Sequence, residues 1–238
     1  MAVSHRAVWV LGSIGVGPNM PGMRIGVLGT GIVGQTLGTK LVELGNEVMM
    51  GSRQAGGEKA TAWAAKAGQA ASEGSFADAA AFGVLVINAT SGMASLEALG
   101  QAEARNLAGK VLMDVANPLD FSGGMPPTLA VCNDTSLGEQ IQEAFPDAKV
   151  VKALHTVNAT VMVNPGSVPG SHDIFVCGND DDAKARVVEL LAGFGWPRDD
   201  VIDLGDISAA RGTEMYLPLW LRLMGATGGP GFNIKVVS

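Results

Sequence analysis

The sequence predicts an α/β protein, a doubly wound parallel sheet carrying a small α/β C-terminal cap. Three observations predict it. Short apolar runs alternate with helix-patterned segments along nearly the whole chain, the order that builds a parallel sheet covered by helices. The first of these runs ends in a glycine-rich turn that opens a helix, within "RIGVLGTGIVGQTL". No Pro/Ser-rich linker divides the chain, so its parts are expected to pack closely.

Each element follows in order. "RIGVLG" is a short buried strand ending in Gly. From Ile32 the apolar residues Val33, Leu37, Leu41 and Leu44 recur at helical spacing, and Gly45 stops that helix. "EVMMGS" is the second strand. "GEKATAWAAKAGQAA" reads as one Ala-rich helix and "FADAAAFG" as a short one, before the strand "VLVINA". "SLEALGQAEARNLAG" is helical in patches, and "KVLMDVANP" is a strand. "TSLGEQIQEAF" begins with an N-capping hydroxyl and closes before Pro146. "AKVVKAL" is the next strand. Beyond a soft boundary near residue 165 come the strand "DIFVCG", the helix "DDDAKARVVELLAGFG" and the strand "DVIDLG". A long apolar helix, "ISAARGTEMYLPLWLRLMGA", is interrupted by Pro218, and "FNIKVV" is expected as a last strand.

Composition narrows the function. The 238 residues are 47% hydrophobic and 16% charged, enough for one sizeable core and a small appendage. A net charge of −7 repels phosphodiester backbones, which argues against nucleic acid as a partner. Cys132 and Cys177 form no CxxC, and His5, His155 and His172 are scattered, so no metal site is expected. Two reduced thiols suit a cytoplasmic protein. No run of about 18 apolar residues is present to span a membrane. Residues 1–22, with "AVWVLGSIGVG" after Arg6, lack a clear cleavage site and read as a flexible extension or an early start ahead of Met20 or Met23.

Gly29, Gly31 and Gly34 form a G-x-G-x-x-G directly after a strand and at the start of a helix. This is the context in which the pattern marks a dinucleotide-binding Rossmann unit, here placed at 23–165, with a small C-terminal domain at 166–238. Gly29 permits the tight turn, Gly31 lets a pyrophosphate approach the backbone, and Gly34 lets helix and strand pack. The N–H groups of Ile32, Val33 and Gly34 then face an anion. An acid at the end of the second strand would hold the ribose 2′-hydroxyl of NAD. The chain has Ser52 and Arg53 there, a hydroxyl and a guanidinium fork suited to a 2′-phosphate. NADP(H) is therefore the expected cofactor. Thr30 adds a loop hydroxyl and Lys59 a more distant cation. Asn88, Ala89 and Thr90 follow a strand end, where they either contact the ribose or nicotinamide or cap the next helix with Ser91. Asn117 before Pro118 fixes a loop beside the cofactor.

The stretches "MRIGVLGTGIVGQTL", "GSR", "VVKALHT", "VCGNDDDAK" and "GFNIKVV" together resemble the NADP reductases that depend on a deazaflavin, coenzyme F420. The resemblance spans Met23 to Val237. It implies a homodimer that passes hydride directly between NADP(H) and the deazaflavin. It places NADP contacts on Thr30, Gly31, Ser52 and Arg53, the nicotinamide side near Ala89 and Thr90, and a wall of the active cleft at His155. The missing Tyr-x-x-x-Lys and G-x-S-x-G sets fit this chemistry. Direct transfer needs two rings held at near-attack distance, and the protein supplies position and dryness. Where the family carries an apolar-Pro-aromatic stretch, this chain reads "NATSGM". That departure keeps open an NADPH reductase with a flavin or quinone acceptor, or an NADPH sensor without turnover.

The remaining polar candidates read more simply. Lys152 is either a phosphate or carboxylate contact or a solvated lysine at a strand edge. Asp180, Asp181 and Asp182 suit the start of a helix better than a metal. The "MYLPLWLRLMG" helix, apolar all round, is expected in the core or at a dimer interface, with Trp220 or Leu221 as a subsidiary contact to the second substrate.

Overall fold

The computed structural model describes residues 22–237. Strands β1 (Arg24–Leu28), β2 (Glu47–Ser52), β3 (Ala71–Ser75), β4 (Leu85–Asn88) and β5 (Val111–Asp114) alternate with helices α1 (Ile32–Glu43), α2 (Glu58–Ala67), α3 (Phe76–Phe82), α4 (Ser95–Ala102) and α5 (Ala104–Leu107). A small hairpin, β6 (Leu119–Asp120) and β7 (Thr128–Leu129), then precedes α6 (Leu137–Ala144), β8 (Lys149–Ala153) and α7 (Ala159–Val163). The chain ends with β9 (Ile174–Gly178), α8 (Asp181–Gly193), β10 (Val201–Asp203), α9 (Ala210–Glu214) and α10 (Leu217–Thr227).

Eight strands form one sheet in the order β10-β9-β8-β5-β4-β1-β2-β3. All neighbours are parallel except β8 and β9. Strands β9 and β10, from the segment expected as a cap beyond residue 165, continue this same sheet. The chain winds outward from β1 through β2 to β3, then returns to β4 on the other side of β1. That reversal leaves a crevice beyond the C-terminal ends of β1 and β4, where open α/β sheets bind ligands.

Strand alternation sends apolar residues to both faces, and helices bury both. Val27, Val48, Ile87, Met113 and Val151 belong to one core cluster, which also holds Leu37 and Leu41 of α1 and Val187 and Leu191 of α8. Leu28, Val86, Leu112 and Val150 belong to the other, with Ala79 of α3, Leu99 of α4 and Ile141 of α6.

Several elements depart from the sequence expectation. The Ala-rich helix stops at Ala67, because Gly68 turns the chain at φ +103° and "ASEGS" leaves it as strand β3. β3 lies at the sheet edge, so it needs no apolar run. "FNIKVV" forms no strand and joins no ladder. It is strapped to Asp173 instead, through Asp173 N–H to the Ile234 carbonyl (2.9 Å) and Lys235 Nζ to Asp173 Oδ1 (2.7 Å). The apolar helix breaks before Leu217, with Pro218 in its first turn where a missing N–H costs nothing. Helix α10 is not core: only Leu217 on it is buried, and Leu219 is 55% exposed. Asp180 caps α8 by accepting the Ala183 N–H (2.8 Å), as expected of that acidic run. The expected extension over residues 1–22 lies outside the described residues but for Gly22.

Candidate functional site

The crevice is lined at one end by the glycine loop. Gly29 sits at φ +116°, and a Cβ there would lie 2.5 Å from the Ala89 carbonyl oxygen, so the turn admits glycine alone. A Cβ on Gly34 would lie 2.1 Å from the Gly29 oxygen, while one on Gly31 would meet nothing within 4 Å. The first glycine and the third are therefore needed by the fold. The middle one faces open space, as a cradle for a ligand would. Backbone bonds lock the loop to its neighbours: Gly29 N–H donates to Gly51 (3.0 Å) and Ala89 N–H to Leu28 (2.9 Å). Gly31 ends in an extended conformation and α1 starts at Ile32, with no acidic residue in its first turn. Its free N–H groups thus offer an anion site with no competing carboxylate.

A cleft of about 550 Å³ opens from this loop. Thr30, Ser52 and Arg53 line it, as do Ala89 and Thr90 across from the loop. Phe76, Ala94 and Ala98 give it an apolar wall, and Glu97 and Gln101 a polar rim. Register explains the convergence, since Leu28 lies beside Gly51 on one strand and Asn88 on the other. Ser52 Oγ donates to the Gln54 carbonyl (2.6 Å) and shapes the turn after β2. Arg53 is exposed and makes no ion pair among the described residues.

The structure thus brings Gly29, Thr30, Gly31, Ser52, Arg53, Ala89 and Thr90 together. Ile32 and Val33 stand at the adjoining helix start, with Ile32 80% exposed. Lys59 is exposed on α2 and does not line the cleft. Asn88 is fully buried, and its amide is committed inside the protein. Asn117 Nδ2 donates to the His155 carbonyl (2.8 Å), tying the loop after β5 to the loop after β8, while its Oδ1 is buried without a partner among the described residues. Phe76, Glu97 and Gln101 escaped sequence reasoning, because they come from helices whose facing was not fixed by pattern, or in Gln101's case from the end of one.

His155, expected as a wall of the cleft, lies just past β8, buried and outside the cleft lining, with neither ring nitrogen hydrogen-bonded among the described residues. Burial, and next the Lys152 charge, hold its pKa well below the usual histidine range. The ring is therefore neutral at physiological pH. Lys152 is not a solvated edge lysine. Strand β8 is interior, and Nζ contacts Asp114 Oδ2 (2.7 Å), Glu214 Oε1 (2.8 Å) and the Ala116 carbonyl (2.6 Å). Burial alone would lower its pKa, but the Asp114 and Glu214 carboxylates outweigh that and raise it. Glu214 also accepts the N–H groups of Leu137 (2.8 Å) and Gly138 (3.0 Å) at the start of α6. Trp220 stacks on Phe232 (centroids 5.5 Å apart), away from the cleft lining.

Residues 24–118 match a family described as NADP oxidoreductase, coenzyme F420-dependent. The chain is 30% identical over 227 residues to the F420-dependent NADP reductase of Methanocaldococcus jannaschii, covering 91% of this chain and 99% of that protein. It is 29% identical to the rat metalloreductase STEAP3 over 92% of this chain, which spans 42% of that longer protein. Among solved structures, an Arthrobacter sp. FB24 protein assigned as an F420-dependent NADP reductase superposes with a TM-score of 0.86. It shares 52% identity, over 91% of this chain and all of that one. An imine reductase from Bacillus cereus, at 17% identity and TM-score 0.60, shares the fold alone.

Proposed function

We propose that this chain, which belongs to the family of coenzyme F420-dependent NADP oxidoreductases, passes hydride directly between NADP(H) and the deazaflavin. The observation that carries the cofactor assignment is the end of β2. No carboxylate stands there, and Ser52 and Arg53 flank the cleft. A carboxylate would repel a 2′-phosphate; a hydroxyl and a guanidinium would hold one. The relatives' names support F420 as the second redox partner.

The chain's own residues then have separable tasks. The backbone at Gly31 and the first turn of α1 would seat the pyrophosphate. Arg53 would anchor the 2′-phosphate, joined by Ser52 once its hydroxyl turns from the Gln54 carbonyl. Ala89 and Thr90 would border the dinucleotide from the opposite wall. The bound nicotinamide and deazaflavin supply the hydride donor and acceptor. Asn117 holds the backbone of His155 in place. The His155 ring is buried outside the cleft lining, so it would back the site as a neutral, dry support that places no charge near the transferring hydride. No side-chain acid or base is required for the transfer itself, so orientation and exclusion of water are the protein's contribution.

We also assign a homodimer and a cytoplasmic location. The open apolar side of α10, with Leu219 exposed, supports a second copy as its cover, and light scattering would test it. The unpaired Cys132 and Cys177 suit a reducing compartment. Among the described residues no helix is long and apolar enough to cross a membrane.

A spectrophotometric assay tests the reaction. Loss of the oxidised F420 absorbance with NADPH, and little with NADH or with a free flavin as acceptor, is the expected outcome. Turnover of flavin in place of F420 would overturn the substrate assignment while leaving the cofactor intact.

A further inference from the structure

Three strand ends stand in one row. Asn88 pairs in register with Asp114, and Asp114 with Lys152. All three are fully buried, on the sheet face that also carries Val86, Leu112 and Val150. A run of polar side chains in such a place must satisfy every donor and acceptor internally. Counting protons along it fixes each orientation.

Lys152 brings only donors, and Asp114 accepts one through Oδ2 (2.7 Å). An ionised carboxylate is acceptor-only. Its Oδ1 therefore takes a hydrogen bond from Asn88 Nδ2 (2.8 Å), alongside one from the Ala116 N–H (3.2 Å). This fixes which end of the Asn88 amide is nitrogen, an assignment that otherwise rests on the surrounding network. The second Nδ2 proton goes to Ser95 Oγ (3.1 Å). Asn88 Oδ1 must then point to Thr90, where it lies 2.7 Å from Oγ1 and 3.3 Å from the backbone N. A carbonyl oxygen cannot donate, so the single hydroxyl proton of Thr90 occupies the short contact, and Ser95 Oγ, 2.9 Å from Thr90 Oγ1, is left as the donor between those two hydroxyls.

We infer that Thr90 keeps one lone pair, and no proton, for the cleft it lines, and that Asn88 is the positioning residue that imposes this polarity. Thr90 then binds a hydrogen-bond donor on the dinucleotide, a ribose hydroxyl or the carboxamide N–H. It disfavours a phosphate oxygen. The pyrophosphate is thereby directed to the Gly31 side of the cleft, where N–H groups are free, and kept off the wall formed by Ala89 and Thr90. This inference rests on the NADP reading of the cleft and adds to it a residue that sets which part of the ligand faces which wall.

Binding of NADP⁺ and of 2′,5′-ADP, measured by calorimetry, tests it without turnover. Thr90→Val should weaken NADP⁺ by roughly two- to tenfold, the size of one neutral hydrogen bond, and Thr90→Ser should restore it. Parallel loss for 2′,5′-ADP places the donor on the adenosine ribose; loss for NADP⁺ alone places it on the nicotinamide half. Asn88→Ser should weaken NADP⁺ in the natural background and add little to Thr90→Val, whereas additive losses would mark Asn88 as structural only. Unchanged affinity of Thr90→Val overturns the inference, as does a Ser variant as weak as the Val variant. A crystal complex with a phosphate oxygen on Thr90 Oγ1 overturns it as well. Arg53→Ala separates the two levels: if it spares 2′,5′-ADP binding while Thr90→Val impairs it, the 2′-phosphate assignment falls and the Thr90 contact stands.

Discussion

Replacing Arg53 with alanine should change cofactor preference far more than cofactor binding in general. The guanidinium is exposed at the cleft mouth and makes no ion pair among the described residues, so its charge is free for a ligand. A charge-assisted hydrogen bond contributes about 1.5–3 kcal/mol. Exposure puts Arg53 at the low end, at about 2 kcal/mol, or roughly thirtyfold in affinity. NADH lacks the 2′-phosphate and should lose little. The assay is a pair of titrations, NADPH and NADH against both proteins, at low and at high salt. The NADPH loss should shrink at 1 M salt, where the Debye length is about 3 Å. Equal losses for the two cofactors would refute the reasoning, because Arg53 would then be supporting the turn after β2 rather than reading the phosphate.

Other consequences follow from the same geometry. Gly31→Ala should fold with unchanged Tm, since its Cβ meets nothing within 4 Å, yet lose NADPH affinity at least about tenfold if the pyrophosphate occupies that space. Gly34→Ala should instead lower Tm, because its Cβ would meet the Gly29 oxygen at 2.1 Å. Lys152→Met leaves two carboxylates buried without their cation and should cost about 3–5 kcal/mol in urea unfolding. Lys152 is raised above its usual pKa, so its contribution is complete below about pH 10 and fades only as pH rises through the higher folded value. His155 runs the other way. Its folded pKa is depressed, so below about pH 6.5 the unfolded chain gains a proton that the native state refuses. Stability should fall by up to about 1.4 kcal/mol per pH unit there, and denaturant curves at pH 7 and 5 should show His155→Gln lacking that slope.

Much of the dinucleotide half was legible because its signals are local. The three glycines, the absent acid and the Ser52-Arg53 pair all lie within one βαβ unit, and the wall at Ala89 and Thr90 follows from a strand end. Features that depend on distant partners were not. Lys152 looks like any strand lysine until Asp114 is its neighbour in register and Glu214 reaches it from α9. Strand β3 carries no apolar run, because an edge strand under a helix does not need one. Of the two places α10's apolar composition suggested, the core is not taken, because only Leu217 meets it, and the dimer interface is left. Composition states that a face wants cover, and not which molecule provides it. The Asn88 amide illustrates the same limit: its spacing suggested a cap or a ligand contact, and its actual role emerged only from counting protons across three strands.

Glu214 is made late and used early in the fold's logic. Its carboxylate caps a helix that begins 77 residues before it and makes a second ion pair with the buried lysine of β8. A nascent chain that has not yet delivered Glu214 holds an α6 with its leading amides uncovered and a buried Lys152–Asp114 pair without its second carboxylate. Such an intermediate should stay open to proteases until the last segments arrive. The segment around Glu214 would then govern whether the nucleotide cleft, lined by residues between 29 and 101, ever sets.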